Sequence, residues 1–317
     1  MKRALLVGVD KYDNFSNLGG CVNDVVALEP LLRRNEDSSL NFSTQSLRTD
    51  QGFVTRGGLI EALSLLLSPG VDVALFYFAG HGASVNGDVS LAVSDGTSVT
   101  PGVRLTEVLE MVSKSPVQEV IIILDCCFSG GAGTIPVLST SSSVLRNGLS
   151  ILTASRGEQV SAETPDGRGA FSRYLEGALE GGAADVMGHV TLAGIYSYLS
   201  ESFGAWDQRP TFKANIDRLH DIRQCSPSVP LSTLRELTNW FPEPTSLFAL
   251  DPSFEPDAEP RNEENERVFS LLQKCRAAKL VEPVGEEHMY FAAMRSKSCR
   301  LTALGQHYHQ MIHQDLL

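Results

Sequence analysis

The chain has 317 residues, with 42% hydrophobic and 20% charged side chains and a formal net charge of -12. That length is comfortable for two domains, and the apolar share suffices for a buried core without disulfides or metals. The acidic balance repels phosphate backbones, so composition disfavours a general nucleic-acid binder and suits a basic peptide partner.

Residues 4–9 (ALLVGV) form the first apolar run. It is too short for a signal-peptide core, and no stretch approaches the ~20 apolar residues of a membrane span, so a cytoplasmic protein without membrane contact is expected. Residues 24–32 and 59–67 have helical spacing. Residues 71–78 (VDVALFYF) read as a second buried strand, ending in Ala79-Gly80-His81-Gly82. An amphipathic segment follows at 105–112. Residues 119–125 (EVIIILD) are a third strand, ending in Cys126-Cys127-Phe128-Ser129-Gly130. Residues 130–148 are rich in Gly, Ser and Thr and predict a mobile loop. Residues 149–154 are a fourth strand, and 171–179 and 191–199 have helical spacing. Strands alternating with helices predict an α/β fold with a mainly parallel sheet, whose sites lie beyond the carboxyl ends of the strands. The His-Gly pair and the Asp-Cys-Cys triplet both stand at such ends.

Past residue 221 the composition changes. A first domain over 1–221, a proline-rich acidic linker over 222–262 and a small domain over 263–317 are expected. The last reads as a helix, a β-hairpin with a polar tip at Arg295-Ser296-Lys297-Ser298, and a final helix, an arrangement similar to a winged helix. Its basic residues Lys274, Arg276, Lys279, Arg295, Lys297 and Arg300 alternate with Glu263, Glu264, Glu266, Glu282, Glu286 and Glu287. Mixed charge favours a solvated face and a regulatory protein partner over DNA. His309 and His313 stand four apart on the last helix, with a surface or core role favoured over metal binding.

Six cysteines are present, two of them adjacent, and there is no C-x-x-C pair. Neighbouring cysteines do not easily bridge each other, and a zinc site lacks its spacing, so the thiols are expected reduced. A cysteine nucleophile needs a base that stabilises the thiolate and later protonates the leaving amine, and backbone N–H donors for the developing oxyanion. A histidine and a cysteine at consecutive strand ends meet that need if the fold brings them together. Taken singly, the histidine reads as a turn residue and the cysteine as a small buried hydrophobe.

Several motifs in order resemble the caspase and metacaspase family over roughly residues 1–215. Phe78-Ala79-Gly80-His81-Gly82 resembles its histidine motif, and Asp125-Cys126-Cys127-Phe128-Ser129-Gly130 its nucleophile motif. Leu18-Gly19-Gly20-Cys21-Val22-Asn23-Asp24, Thr153-Ala154-Ser155 and Gly169-Ala170-Phe171-Ser172 also match. The resemblance implies a caspase-haemoglobinase-like, mainly parallel six-stranded sheet flanked by helices. It implies a His81–Cys127 dyad with Cys126 a buried neighbour, and oxyanion donors at Gly82 and Cys127. A P1-binding site for Arg or Lys is implied at Asp24 and Asp125, with Ser155 beside it. The alternative local roles are a helix cap for Asp24 and a strand-end turn for Asp125. Residues 130–148 match the family's intersubunit loop, and self-cleavage is expected after Arg146. The resemblance further implies a monomeric microbial effector protease. Calcium dependence occurs in the family, but no calcium or other cofactor site is identified. A scaffold of the same fold that has lost activity and works through its C-terminal module is the competing expectation.

Overall fold

The apolar runs dictate where the strands lie, because a run without polar alternation must be covered on both faces. In the computed structural model, all residues are described except 86, 127, 130–144, 155–167 and 204–209, with backbone only at 128–129. The chain divides into two compact units, one of residues 1–184 and 189–225, the other of 185–188 and 226–317.

The strands of the first unit are β1 (Lys2–Gly8), β2 (Phe42–Arg48), β3 (Val73–Ala79), β4 (Gly82–Val85), β5 (Asp88–Ala92), β6 (Gly102–Arg104), β7 (Glu119–Asp125), β8 (Phe128–Ser129), β9 (Leu149–Thr153), β10 (His189–Thr191), β11 (Thr211–Asn215) and β12 (Asp221–Gln224). Six of them make one sheet in the order β11-β9-β7-β3-β1-β2. All its pairings are parallel except that of β11 with β9. The expected mainly parallel six-stranded sheet is therefore present.

Alternate residues of each central strand enter opposite cores. Leu5, Val7, Phe76, Phe78, Ile122 and Leu124 pack with α2 (Arg56–Leu66) and α3 (Leu105–Lys114). Leu6, Leu75, Tyr77, Ile121 and Ile123 pack with α1 (Cys21–Arg33), α4 (Ala170–Gly177) and α5 (Leu192–Ser202). The result is a sheet between two helical layers. The turn into β9 needs a glycine: Gly148 has φ +80, and a Cβ there would stand 1.9 Å from the Gln118 carbonyl oxygen.

In the second unit, helices α6 (Leu231–Arg235), α7 (Leu237–Trp240), α8 (Glu263–Ala277), α9 (Met289–Met294) and α10 (Ala303–His313) surround strands β13 (Leu247–Ala249), β14 (Val281–Val284) and β15 (Ser298–Leu301). The strands form an antiparallel sheet in the order β13-β15-β14. Two expectations are corrected here. Residues 222–262 are not a linker: β12 belongs to the first unit, and Leu234, Leu237, Phe241, Leu250 and Phe254 are buried in the second unit's core. The prolines misled because Pro230 and Pro252 sit at the starts of short helical turns, where proline is tolerated. The hairpin is not tight either. Helix α9 separates its strands, with Met289, Ala292 and Ala293 turned inward at helical spacing, and Ser298 already belongs to β15.

Four arginines of this unit pair with acids, Arg300 with Glu282 and Arg295 with Glu286, each at 2.8 Å, Arg261 with Glu266 and Arg267 with Glu264. His309 is buried, its Nε2 2.7 Å from the Phe241 carbonyl oxygen, and so serves the core. Among the described residues no helix is long and apolar enough to cross a membrane.

Candidate active site

The site grows from two adjacent strand ends. In the β3–β7 pairing Ala79 stands opposite Asp125, and the Gly80 N–H donates to the Asp125 carbonyl at 3.3 Å. Three residues further on the two segments pair again, Gly82 with Phe128 and Ala83 with Ser129, in a small sheet ordered β6-β5-β4-β8. His81 lies between the two pairings on the first segment. On the second segment Cys126 is buried, and Cys127 lies outside the described residues.

His81 is held at backbone and ring. Its N–H donates to the Tyr12 hydroxyl at 2.9 Å, that hydroxyl donates to the Val9 carbonyl at 2.9 Å, and the His81 carbonyl accepts from the Ala92 N–H at 2.9 Å. The Tyr12 and His81 rings have centroids 4.8 Å apart. Nε2 lies 2.8 Å from the Ser16 carbonyl oxygen. A carbonyl can only accept, so Nε2 carries a proton and Nδ1 is the ring nitrogen left to accept one. Ser16 thus fixes the orientation of the His81 ring. Neither Tyr12 nor Ser16 was identified from the sequence. Tyr12→Phe removes the acceptor of the His81 N–H and is expected to lower kcat roughly tenfold with little change in KM, as small displacements of a catalytic group do; steady-state kinetics would refute this by showing an unchanged kcat.

Asp24 and Asp125 converge at the same sheet rim. Their Oδ2 atoms lie 3.3 and 3.1 Å from the point where Gly169 would carry a Cβ, so a side chain there would crowd both. Asp24 is not the helix cap. The amino terminus of α1 is satisfied by Asp10, whose carboxylate accepts from the N–H groups of Cys21 and Val22 at 2.9 and 3.1 Å. Asp24 is buried inside the helix and accepts from Arg168 Nε at 3.1 Å and from the Gly169 N–H at 3.4 Å. Arg168 also pairs with Glu176. Asp125 accepts from the Ser172 hydroxyl, whose oxygen in turn lies 2.6 Å from the Tyr77 hydroxyl. Burial, then the neighbouring Asp125 charge, pushes the Asp24 carboxyl up to about 7, against the opposing pull of Arg168. Burial pushes Asp125 up to about 6, with the Ser172 hydrogen bond opposing it. The sequence pointed to both acids; Arg168, Glu176 and Tyr77 carried no signal of their own.

Gly82 is buried at the start of β4, beside Leu91 of β5 as well as Phe128. Ser155 lies outside the described residues, as does most of the 130–148 loop. Arg146 is described and does not join the acid pair. It is half-buried just before β9, its Nη2 donating to the Val117 carbonyl at 2.8 Å. Leu149 stands opposite Val120, near the amino end of β7, so five strand residues, roughly 17 Å at 3.3 Å each, separate it from the rim that holds His81. Among the described residues no group of three or more His, Cys, Asp or Glu is placed to share a metal ion.

A family model for the caspase domain matches residues 1–219. Metacaspase-1 of Schizosaccharomyces pombe is 24% identical over 161 residues, 46% of this chain and 38% of that protein. Metacaspase-1 of Yarrowia lipolytica is 24% identical over 207 residues, 61% of this chain and 43% of that one. Metacaspase-7 of Arabidopsis thaliana is 28% identical over 143 residues, 41% and 35% of the two chains. The matched region thus spans less than half the length of these curated relatives. The crystal structure of caspase-1 from Spodoptera frugiperda superposes with a TM-score of 0.50 at 14% identity, covering 71% of this chain and 90% of that one. That likeness establishes the fold.

Proposed function

This chain belongs to the caspase-domain family of peptidases, and from that premise we propose that it is a cysteine endopeptidase cutting proteins after Arg or Lys. His81 Nδ1 takes the thiol proton of Cys127, the thiolate attacks the scissile carbonyl, and the histidine returns the proton to the leaving amine. The N–H groups of Gly82 and Cys127 face the oxyanion in this reading. Asp24 and Asp125 receive the basic P1 side chain, since paired carboxylates offer the two-pronged acceptor that a guanidinium prefers. Ser155 is placed beside them by motif position. The observation that carries the reading is that a histidine with a fixed tautomer and two converging carboxylates share one sheet rim. The strand pairings on both sides of His81, with residues 125 and 128, support the partnership with Cys127.

Processing after Arg146 is, in this reading, an intermolecular cut, because that residue sits at the opposite end of β9 from the rim. The second unit takes a regulatory protein partner, and its paired charges favour this over DNA. The decisive assay offers the full chain fluorogenic peptides with Arg, Lys or Asp at P1, with added calcium and with chelator. Arg and Lys peptides are expected to be cut and Asp peptides left whole; preference for Asp, or no turnover under any condition, would sink the reading. Intact mass of the same samples is expected to show cleavage after Arg146 accelerating with protein concentration.

A further inference from the structure

A cation already occupies the acid site. Arg168 Nε donates to Asp24 Oδ1 at 3.1 Å, and the Gly169 N–H lies 3.4 Å from Oδ2, so both oxygens of that carboxylate are engaged within the chain. The contact is enclosed: the Arg168 side chain is 12% exposed and that of Asp24 3%. Asp125 is in turn engaged by Ser172. An incoming guanidinium that pairs two-pronged with Asp24 competes with Arg168 and the Gly169 N–H for the same two oxygens. The same arginine has a second seat, because its Nη1 pairs with Glu176, which is 25% exposed at its side chain. A guanidinium released from Asp24 therefore keeps one ion pair and is not left alone in a half-buried position.

We propose that Arg168 is a resident stand-in for the substrate's basic P1 side chain, which must displace it from Asp24, and that Glu176 holds the arginine once displaced. This rests on the reading of Asp24 and Asp125 as the P1 site. Arg168 and Glu176 are then specificity-determining residues that act on substrate affinity and do not touch the scissile bond. Two members of one ion-pair network should move affinity in opposite directions. Removing Arg168 vacates the acid and tightens binding. Removing Glu176 takes away the second seat and weakens it. A purely structural role for the network predicts the same sign for both.

The test uses the full chain carrying Cys127→Ala, so that no turnover intervenes, and benzamidine as a probe of the acid site, with binding read by calorimetry and thermal shift. Arg168→Gln is expected to tighten benzamidine binding by about tenfold or more, the gain from vacating one desolvated ion pair, and Glu176→Gln to weaken it severalfold. Addition of Asp24→Asn to Arg168→Gln is expected to abolish the gain. Arg168→Lys keeps the charge and the fold but loses the planar fork that spans two carboxylates, and is expected to tighten binding less than the glutamine variant. Unchanged or weaker binding in folded Arg168→Gln, or in Arg168→Lys where the glutamine variant does not fold, overturns the proposal. So does the same sign for Arg168→Gln and Glu176→Gln, or no binding in any variant. Wild-type chain that cuts no basic peptide counts separately against the P1 assignment, because probe binding needs no catalysis.

Discussion

Cys127→Ala and His81→Ala are each expected to lower kcat/KM for an Arg-P1 peptide by about 10³-fold or more, and the double variant by little beyond either single one. In the proposed dyad nucleophile and base act as a unit: without the imidazole Nδ1 the thiol would stay protonated, and without the thiol the histidine would have no attack to assist. His81 is held at both ring and backbone. The Ser16 carbonyl fixes the proton on Nε2, and Tyr12 and Ala92 fix the backbone on either side. Cys126→Ala is the internal control. That residue is buried, so its loss should cost about 1–2 kcal/mol of stability, as a small core truncation does, with the activity retained. Progress curves on purified variants, each checked by thermal melting, measure all four. Activity that survives Cys127→Ala but not Cys126→Ala would assign the nucleophile to the wrong member of the pair.

The second large effect is on substrate choice. Asp125→Asn is expected to lower kcat/KM for Arg and Lys peptides by roughly 10²–10³-fold, because a site that pairs a buried charge discriminates strongly once that charge is gone. The loss should appear mainly in KM, whereas the dyad variants lose kcat. The acid pair also sets a pH dependence. The folded-state values of about 7 for Asp24 and about 6 for Asp125 mean that both carboxyls gain protons as pH falls from neutral, so KM for basic peptides should rise between about pH 7 and 5.

Stability should run the other way. A carboxyl whose folded pKa lies above its unfolded value binds its proton more tightly in the native state. Its contribution is full below the unfolded pKa near 3.8 and is lost as pH rises through about 6 for Asp125 and about 7 for Asp24. At about pH 8 the uncharged Asn at position 125 should therefore stabilise the fold, by on the order of 1–3 kcal/mol, while removing activity. Denaturant melts of wild type and Asp125→Asn near neutral and acid pH check the sign. A variant less stable than wild type near pH 8 would show that Asp125 is a structural acid held by Ser172, and not one kept charged for binding.

The paired readouts separate the two halves of the site. A chain that loses activity with Asp125→Asn yet binds benzamidine as before has its P1 acid elsewhere. A chain that loses both retains the reading and calls for Asp24→Asn to apportion the pair.

Read along the chain, β1, β3, β7 and β9 were legible because each is a short unbroken apolar run, and such a run has few places to go other than the middle of a covered sheet. Edge strands β2 and β11 were not, because FSTQSLR and TFKAN carry polar side chains that an edge tolerates. The helix of residues 289–294 was overlooked for a related reason: six residues are too few for a periodicity to stand out from a hairpin. The apolar residues of the 226–262 segment were hidden among prolines and acids, and only their shared burial shows that the segment belongs to a core.

By itself, the sequence determined the α/β class and the strand ends beside which His81 and the Cys126-Cys127 pair fall, and its resemblance to the caspase and metacaspase family pointed to the two acids. Local chemistry decides such things, because burial on both faces and motif spacing are written in consecutive residues. Tertiary structure alone decided what those residues touch. The ring of His81 is oriented by a carbonyl 65 positions away, and Asp24 is occupied by an arginine 144 positions away. Hydrogen bonds and ion pairs are short-ranged, so their partners are set by which strand ends become neighbours in the sheet, and that order is a property of the packed fold.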